Sequence, residues 1–357
     1  MSNAQRLALI VAGGTGGHIF PGLSVASELK ARGWQVQWAG NPEAMEGRLV
    51  PANGIELNTL VFSGFRGKGL LQQVFMPIKL LRAFWTSIQI LRRSKPAVVL
   101  GMGGYVAFPL GMMASLLNIP LVVHEQNSIA GLTNKVLAKL ANRNLVAFPY
   151  ALPNSSWVGN PVREMIYSQA EPADRFVGRT GPLKLLVLGG SLGAQALNDV
   201  VPKALSQLDK AQRPEVVHQA GEKNLPVLRD NYEKAGVHAQ QVAFIDDVAG
   251  AMAQADLVIC RAGAMTVAEV AAIGVAALFV PFPHAVDDHQ THNAEFLVKE
   301  NAAWLRQQNE LDVAWLANWL QNMNRDACLA QAVRARALAK PQATQEVADH
   351  IEQVAKA

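Results

Sequence analysis

The sequence predicts an α/β protein of two similar domains, each built on a parallel sheet, facing each other across a ligand-binding cleft. Three observations carry this. Apolar Leu7–Ala12 runs straight into Gly13-Gly14-Thr15-Gly16-Gly17-His18, as a buried strand does when it meets a loop nearly free of side chains before a helix. The device then returns: residues 183–188 precede Gly189-Gly190-Ser191-Leu192-Gly193-Ala194 and a helix-like stretch at 195–208. Apolar runs of strand length also alternate with helical segments throughout, which implies right-handed crossovers and parallel pairing. A chain of 357 residues is comfortable for two such domains.

Each glycine turn at a helix N-terminus is an anion site, because free N–H groups and the helix dipole both favour negative charge. One copy alone reads equally well as a packing turn. Two copies in matching contexts point to a ligand held between the domains.

Bulk composition narrows the partners. Half of the residues are hydrophobic and 17% are charged, a globular balance. A net charge of +4 suits nucleotides or acidic lipid, whereas the Lys and Arg are too dispersed for nucleic acid. Cys260 and Cys328 form no disulfide framework, which predicts a reducing cytoplasm. The apolar run at 7–12 is too short for a signal peptide. Residues 96–123 carry no charge and are long enough to span a bilayer, but glycines and prolines divide them into a strand at 97–101, a short helix near 109–117 and a strand at 120–124.

In chain order, a helix at 21–30 ends at Gly33, strands follow at 34–39 and 55–62, and a basic glycine loop occupies 63–69. Helical projection of 70–93 puts Lys79, Arg82, Thr86, Gln89 and Arg93 on one stripe, with Leu71, Phe75, Met76, Leu80, Phe84 and Trp85 beside it. With Arg66, Lys68 and Arg92, this reads either as a core helix with a solvated basic edge or as a surface at 65–93 that dips into an anionic membrane leaflet. A strand then ends in His124-Glu125-Gln126-Asn127; Asn127 is placed to orient a sugar hydroxyl, to cap the next helix (131–141), or both. A strand at 144–148 leads to a Pro/Asn/Ser stretch and Gly159-Asn160-Pro161-Val162-Arg163. The domains are therefore expected at 1–162 and 163–340, with a final helix in 341–357 packing back on the first.

The second half predicts strands near 183–188, 215–219, 241–245, 256–260 and 276–280. Small residues after Arg261 open a further helix N-terminus, a third phosphate seat, and Glu269 on that helix is placed to accept both hydroxyls of a ribose or is simply exposed. The loop at 279–293 crowds His284, Asp287, Asp288, His289, Gln290 and His292. Their spacing matches no compact zinc motif, so polar recognition of a hydroxylated ligand is the better expectation, with no metal.

Together GGTGGH at 13–18, GMGGYV at 101–106, HEQN at 124–127, GNPVR at 159–163, GGS at 189–191 with Gly193 and Ala194, FIDD at 244–247, RAGAMTVAE at 261–269 and DDHQTHNA at 287–294 resemble the MurG family of bacterial peptidoglycan glycosyltransferases. The resemblance implies the GT-B fold of two Rossmann-like domains. It implies N-acetylglucosamine transfer from UDP-N-acetylglucosamine to undecaprenyl-pyrophosphoryl-N-acetylmuramyl-pentapeptide by a peripheral protein on the cytoplasmic face of the inner membrane, with no cofactor. Motif by motif, it implies that Ser191 meets the donor phosphates, that the backbone of Ile245 meets uracil, and that Arg163 belongs to the nucleotide site. Ala264, Met265, Thr266, Val267, Ala268 and Glu269 would hold phosphate, sugar and ribose, Gln290 and Asn127 the N-acetylglucosamine, and Thr15, Gly16 and Gly17 would face the donor. Where the family carries RSGA, this chain has RAGA, so only backbone donors remain at Ala262.

Preorganised N–H groups can stabilise a departing diphosphate without a metal, and no DxD pair is flanked by apolar strand residues. The expected base is His18, whose alternative role is to bind the acceptor diphosphate or cap the helix. A nicotinamide oxidoreductase is the competing enzyme: the first loop lacks full GxGxxG spacing, and the strand at 34–39 ends without an acidic ribose partner. A non-catalytic nucleotide-binding module is the remaining reading.

Overall fold

A computed structural model describes residues 6–62, 75–190 and 193–356. They form two compact units, 1–163 with 340–357, and 164–339. The expected basic loop with Arg66 and Lys68, the start of the 65–93 surface including Leu71, and Ser191 lie outside the described residues.

In the first unit the elements run β1 (Leu7–Ala12), α1 (Gly16–Ala31), β2 (Gln35–Gly40), α2 (Met45–Ala52), β3 (Glu56–Thr59), α3 (Met76–Ser94), β4 (Val98–Gly103), α4 (Ala107–Leu116), β5 (Leu121–Glu125), α5 (Leu132–Leu137), β6 (Arg143–Val146) and β7 (Ser155–Trp157). The sheet order is β3-β2-β1-β4-β5-β6-β7, with parallel pairing throughout. The charge-free run at 96–123 is β4, α4 and β5, and among the described residues no helix is long and apolar enough to cross a membrane. Both central strands are buried along their whole length, as their unbroken apolar runs require. Gly22 lets α1 lie close on the sheet: a Cβ there would stand 2.6 Å from the ring of Trp38, whose Nε1 donates to the carbonyl of Ala12 at 3.0 Å.

The second unit runs α6 (Glu164–Tyr167), α7 (Pro172–Phe176), β8 (Lys184–Leu188), α8 (Gln195–Ser206), β9 (Glu215–Gln219), α9 (Leu225–Ala235), β10 (Gln240–Val242), α10 (Val248–Gln254), β11 (Leu257–Cys260), α11 (Ala264–Ile273), β12 (Ala276–Phe279), α12 (His289–Val298), β13 (Trp304–Leu305), α13 (Val313–Gln321) and α14 (Arg325–Ala337). Its sheet order is β10-β9-β8-β11-β12-β13, again parallel. Buried Asp256, just before β11, accepts from Arg179 at 2.5 Å, Arg325 at 3.1 Å and the amide of Lys184 at 2.9 Å, tying three segments together.

The chain then returns to the first unit as α15 (Ala343–Lys356). Val347, Ala348, Ile351 and Val354 bury one face of this helix in the first unit's core. Along its edge Arg32 bonds Asp349 at 2.6 Å, and Trp34 Nε1 donates to Glu352 at 3.1 Å.

On α3 the expected apolar face divides between core and solvent. Met76, Ala83, Ile90 and Leu91 are buried and Phe84 packs inward, its ring centroid 6.0 Å from that of Phe108. Phe75, Ile78, Leu81 and Trp85 instead face solvent, between 54% and 67% exposed. Lys79, Arg82 and Arg92 are exposed beside them, while Arg93 is drawn off the stripe by a 2.6 Å bond to Asn58.

Candidate functional site

In an open parallel sheet, ligands bind beyond the carboxyl ends of the strands where the order reverses. In the first unit that point lies between β1 and β4, which carry the GGTGGH and GMGGYV motifs. The two glycine turns pack on each other: Gly104 has φ of +82°, and a Cβ there would strike the backbone of Gly13. Gly103, at φ +98°, leaves room for a ring, since its Cβ would stand 3.0 Å from His18 Cε1.

The first turn is not the bare anion nest that its composition predicts. Glu46, in the first turn of α2 and only 1% exposed, accepts from the amide of Gly14 at 3.3 Å and of Asn41 at 3.1 Å. A carboxylate already satisfies one of the loop's donors and repels anions there. The N–H groups of Gly16 and Gly17 open α1 and have no intrahelical acceptor. Thr15 precedes them as an exposed, extended N-cap without a side-chain capping bond, so its hydroxyl faces solvent.

Behind the turn, His18 Nδ1 lies 2.7 Å from Gln126 Oε1. Gln126 Nε2 lies 3.0 Å from His124 Nδ1 and donates to the carbonyl of His124 at 3.1 Å. His124 Nε2 in turn meets the carbonyl of Gly159 at 2.9 Å, and Asn160 Nδ2 donates to the carbonyl of Gln126 at 3.1 Å. Burial holds the pKa of His124 down to about 4, so it is neutral, although the Gly159 bond opposes that shift. Neighbouring Glu125 is buried and accepts from the amides of Asn127 and Gly131 and from Asn134 Nδ2. Asn127 Nδ2 also turns back to Glu125 at 3.3 Å. Helix α5 starts at Leu132 with Gly131 as its N-cap, so the expected capping role of Asn127 is not found.

The second unit repeats the plan between β8 and β11. Gly190 and Gly193 both have φ of +76°, and a Cβ on Gly193 would collide with the carbonyl of Ala220 and the side chain of Asn224. Gln219, at the end of β9, clamps the turn: its Oε1 accepts from the amide of Gly190 at 3.1 Å, and its Nε2 donates to the carbonyls of Gly190 and Ala243. Ile245 and Phe244 line one end of a cavity of about 580 Å³ that runs between α10 and the sheet to Lys184, Glu215 and Gln240 at the amino ends of β8, β9 and β10.

At the end of β11, Gly263 caps α11 in extended backbone. The predicted segment divides by face: Ala264 and Val267 are buried and offer only backbone, whereas Met265, Thr266, Ala268 and Glu269 are half-buried. Arg261 reaches over the neighbouring loop, donating to the carbonyls of Val280 and Pro281 at 3.0 and 3.1 Å and to Gln308 at 2.6 Å, with its guanidinium over the Phe282 ring. Gln290 Oε1 accepts from the amide of Phe282 at 2.9 Å, which leaves its Nε2 to donate. His289 and His292 bond Val286 and Glu295, and among the described residues no three His, Cys, Asp or Glu side chains gather as a metal site. Arg163 is exposed at the end of the first unit's main segment.

Nothing in the sequence singles out Glu46 or Gln219, and His124, Gln126 and Arg261 stand out there only as parts of motifs. Their longest-range contacts span 19 or more residues, and polar residue types at strand ends hinted at all of them but Glu46, which sits on a helix.

The chain's profile matches are the glycosyltransferase family 28 N-terminal domain over residues 8–146 and the family 28 C-terminal domain over 184–354. The chain is 61% identical, over 99% of both sequences, to the UDP-N-acetylglucosamine–N-acetylmuramyl-(pentapeptide) pyrophosphoryl-undecaprenol N-acetylglucosamine transferase of Cupriavidus pinatubonensis. It is 59% identical to the enzyme of the same name from Burkholderia thailandensis, covering 98% of this chain and 96% of that one. Among solved structures it resembles Acinetobacter baumannii MurG, with a TM-score of 0.87 and 41% identity over 98% of this chain and 99% of the other. The kitacinnamycin glycotransferase, at 18% identity and a TM-score of 0.70, shares the fold.

Proposed function

The chain belongs to glycosyltransferase family 28, and from that we infer that it moves N-acetylglucosamine from UDP-N-acetylglucosamine to undecaprenyl-pyrophosphoryl-N-acetylmuramyl-pentapeptide, the lipid I to lipid II step of peptidoglycan synthesis. The observation that carries this is 61% identity across essentially the whole length, joined to a glycine turn at the switch point of each sheet.

Chemically, the acceptor's 4-hydroxyl oxygen attacks the anomeric carbon, the bond from that carbon to UDP breaks, and UDP leaves with the electron pair. An in-line attack inverts the centre and gives a β1→4 link. The proton passes to a base, for which His18 is our candidate, held beside the first glycine turn. In the second unit, Gly190, Gly193 and the first-turn amides of α11 are suited to the charge that grows on the diphosphate, without a metal, and Ser191 is assigned to the donor phosphates. Ile245 at its cavity suits the base, Glu269 the ribose, and Thr266 and Gln290 the phosphate and sugar; Arg163 is assigned to the nucleotide and Asn127 to the N-acetylglucosamine. In the first unit, Thr15, Gly16 and Gly17 are assigned to the face that meets the donor.

We place the protein peripherally on the cytoplasmic face of the inner membrane. Phe75, Ile78, Leu81 and Trp85, flanked by Lys79, Arg82 and Arg92, form an exposed apolar and basic surface of the kind that enters an anionic leaflet. The transfer is tested with radiolabelled UDP-N-acetylglucosamine and lipid acceptor, with and without chelator. Labelled lipid that survives chelation is the expected result. A requirement for added metal refutes the metal-free donor site, and binding without transfer refutes the enzymatic reading.

A further inference from the structure

We propose that Gln126 is a positioning residue which, oriented by His124 and the Gly159 carbonyl, fixes neutral His18 in the one tautomer that leaves its Nε2 lone pair open to take a proton. This rests on reading His18 as the base.

The polarity of the chain is set from its far end. The carbonyl of Gly159 can only accept, so the His124 Nε2 facing it at 2.9 Å carries a hydrogen. A neutral His124 then has a bare Nδ1, and the group 3.0 Å away on Gln126 must be the amide nitrogen. The same nitrogen lies 3.1 Å from the carbonyl of His124, a second acceptor that demands the same orientation. Gln126 therefore turns its carbonyl oxygen to His18. That oxygen cannot donate, so the His18 Nδ1 at 2.7 Å carries the proton and Nε2 does not.

The orientation is hard to reverse. Flipping the Gln126 amide would set its oxygen against a lone pair of His124 and a carbonyl, and its NH₂ against the Nδ1–H of His18, replacing three hydrogen bonds by repulsions in a group only 1% exposed. The backbone carbonyl of Gln126 is itself held by Asn160, so the residue is gripped at both ends. Gly159 and Asn160 belong to the GNPVR motif, which gives that motif a task beyond linking: it supplies the fixed acceptor from which the hydrogen-bond direction is read. The bare side of Gly103 completes the seat of the ring.

The test uses the full-length protein with ¹⁵N-labelled histidine, the His18 resonances being assigned by their loss in His18→Gln. In the native protein we expect a protonated Nδ1 and a bare Nε2 on His18. In Gln126→Met we expect the opposite tautomer to gain population and kcat to fall by about tenfold to a hundredfold, at most the lower end of what general base catalysis contributes because His18 itself remains, with the KM for UDP-N-acetylglucosamine unchanged. In Gln126→Glu a carboxylate still accepts from Nδ1 and stabilises the imidazolium, so the acid limb of kcat/KM moves to higher pH. A merely structural role would lower the amount of folded protein and move neither tautomer nor limb. A native His18 protonated at Nε2, or a tautomer unaltered in Gln126→Met, overturns the proposal; if that variant does not fold, the native spectrum and Gln126→Glu decide. A tautomer that switches while kcat holds supports the relay and removes His18 as the base. Loss of turnover in His18→Gln with an unmoved tautomer in Gln126→Met does the reverse.

Discussion

Replacing Phe75 and Trp85 by serine should strip the protein from anionic vesicles, and the size of the effect follows from their exposure. Phe75 is 54% and Trp85 61% exposed. At about 200 Å² per large aromatic side chain, those fractions leave roughly 230 Å² to bury, or about 6 kcal/mol for complete transfer at 25 cal/mol per Å². A helix lying in the headgroup region buries its apolar face only in part, so half of this, about 3 kcal/mol, is the working figure. That corresponds to a partition coefficient lowered about a hundredfold. Lys79 and Arg82 add about 1 kcal/mol each at an anionic surface, a contribution that salt suppresses and the apolar one does not. Sedimentation with sucrose-loaded vesicles containing phosphatidylglycerol, at low and high salt, separates the two. Both serines are surface substitutions, so the thermal midpoint and UDP affinity should hold. Unchanged partition of a folded double variant would refute the membrane surface, and a loss equalled by Phe84→Ser alone would show that the wrong face of α3 had been chosen.

Gly193→Ala forces a side chain into left-handed backbone against the carbonyl of Ala220; UDP affinity by calorimetry should weaken at least about tenfold, since the conformation alone costs about 1 kcal/mol before the collision displaces the loop. Gly103→Ala places a Cβ 3.0 Å from the His18 ring, so steady-state kinetics should show kcat reduced with the donor KM preserved. Asp256→Ala leaves the half-buried Arg179 and Arg325 beside no anion and should cost about 1–3 kcal/mol in urea unfolding. Burial opposes ionisation of Asp256, but bonds from Lys184, Arg179 and Arg325 prevail and hold its pKa below the ordinary aspartate value. Its contribution is thus complete above the unfolded value near pH 3.9 and is lost as pH falls through the lower folded value; Asp256→Asn should flatten the stability curve in that acid window.

The parallel sheets were legible because their central strands, buried on both faces, read as unbroken apolar runs, and because glycine turns announce themselves locally. The edges were not. β7 holds Ser155, Ser156 and Trp157 and β13 only Trp304 and Leu305, segments too short and too mixed for a pattern, formed by pairing with a neighbour that is already in place. On α3 the projection found an amphipathic excess that includes the exposed Phe75 and Trp85, but it also counted Met76, Leu80 and Phe84 and omitted Ile78 and Leu81, because which flank of an apolar arc is covered depends on Phe108 and α4, not on the helix itself. The glycine-rich motifs lie at or just beyond the carboxyl ends of β1, β4 and β8. What filled or braced them was hidden, because Glu46 enters the first turn from another helix and Gln219 clamps the second from another strand.

The last helix has a consequence for how the molecule is made. Since α15 buries Val347, Ala348 and Ile351 in the first unit, that unit draws on both ends of the polypeptide, whereas the second is one uninterrupted stretch. On the ribosome the later-encoded half therefore receives all its residues first, while the half that begins synthesis waits with an apolar seam uncovered along α1. Nascent protein is thus most vulnerable to proteolysis and chaperone capture at its oldest part, and trimming the final turns should unravel residues synthesised some three hundred positions earlier.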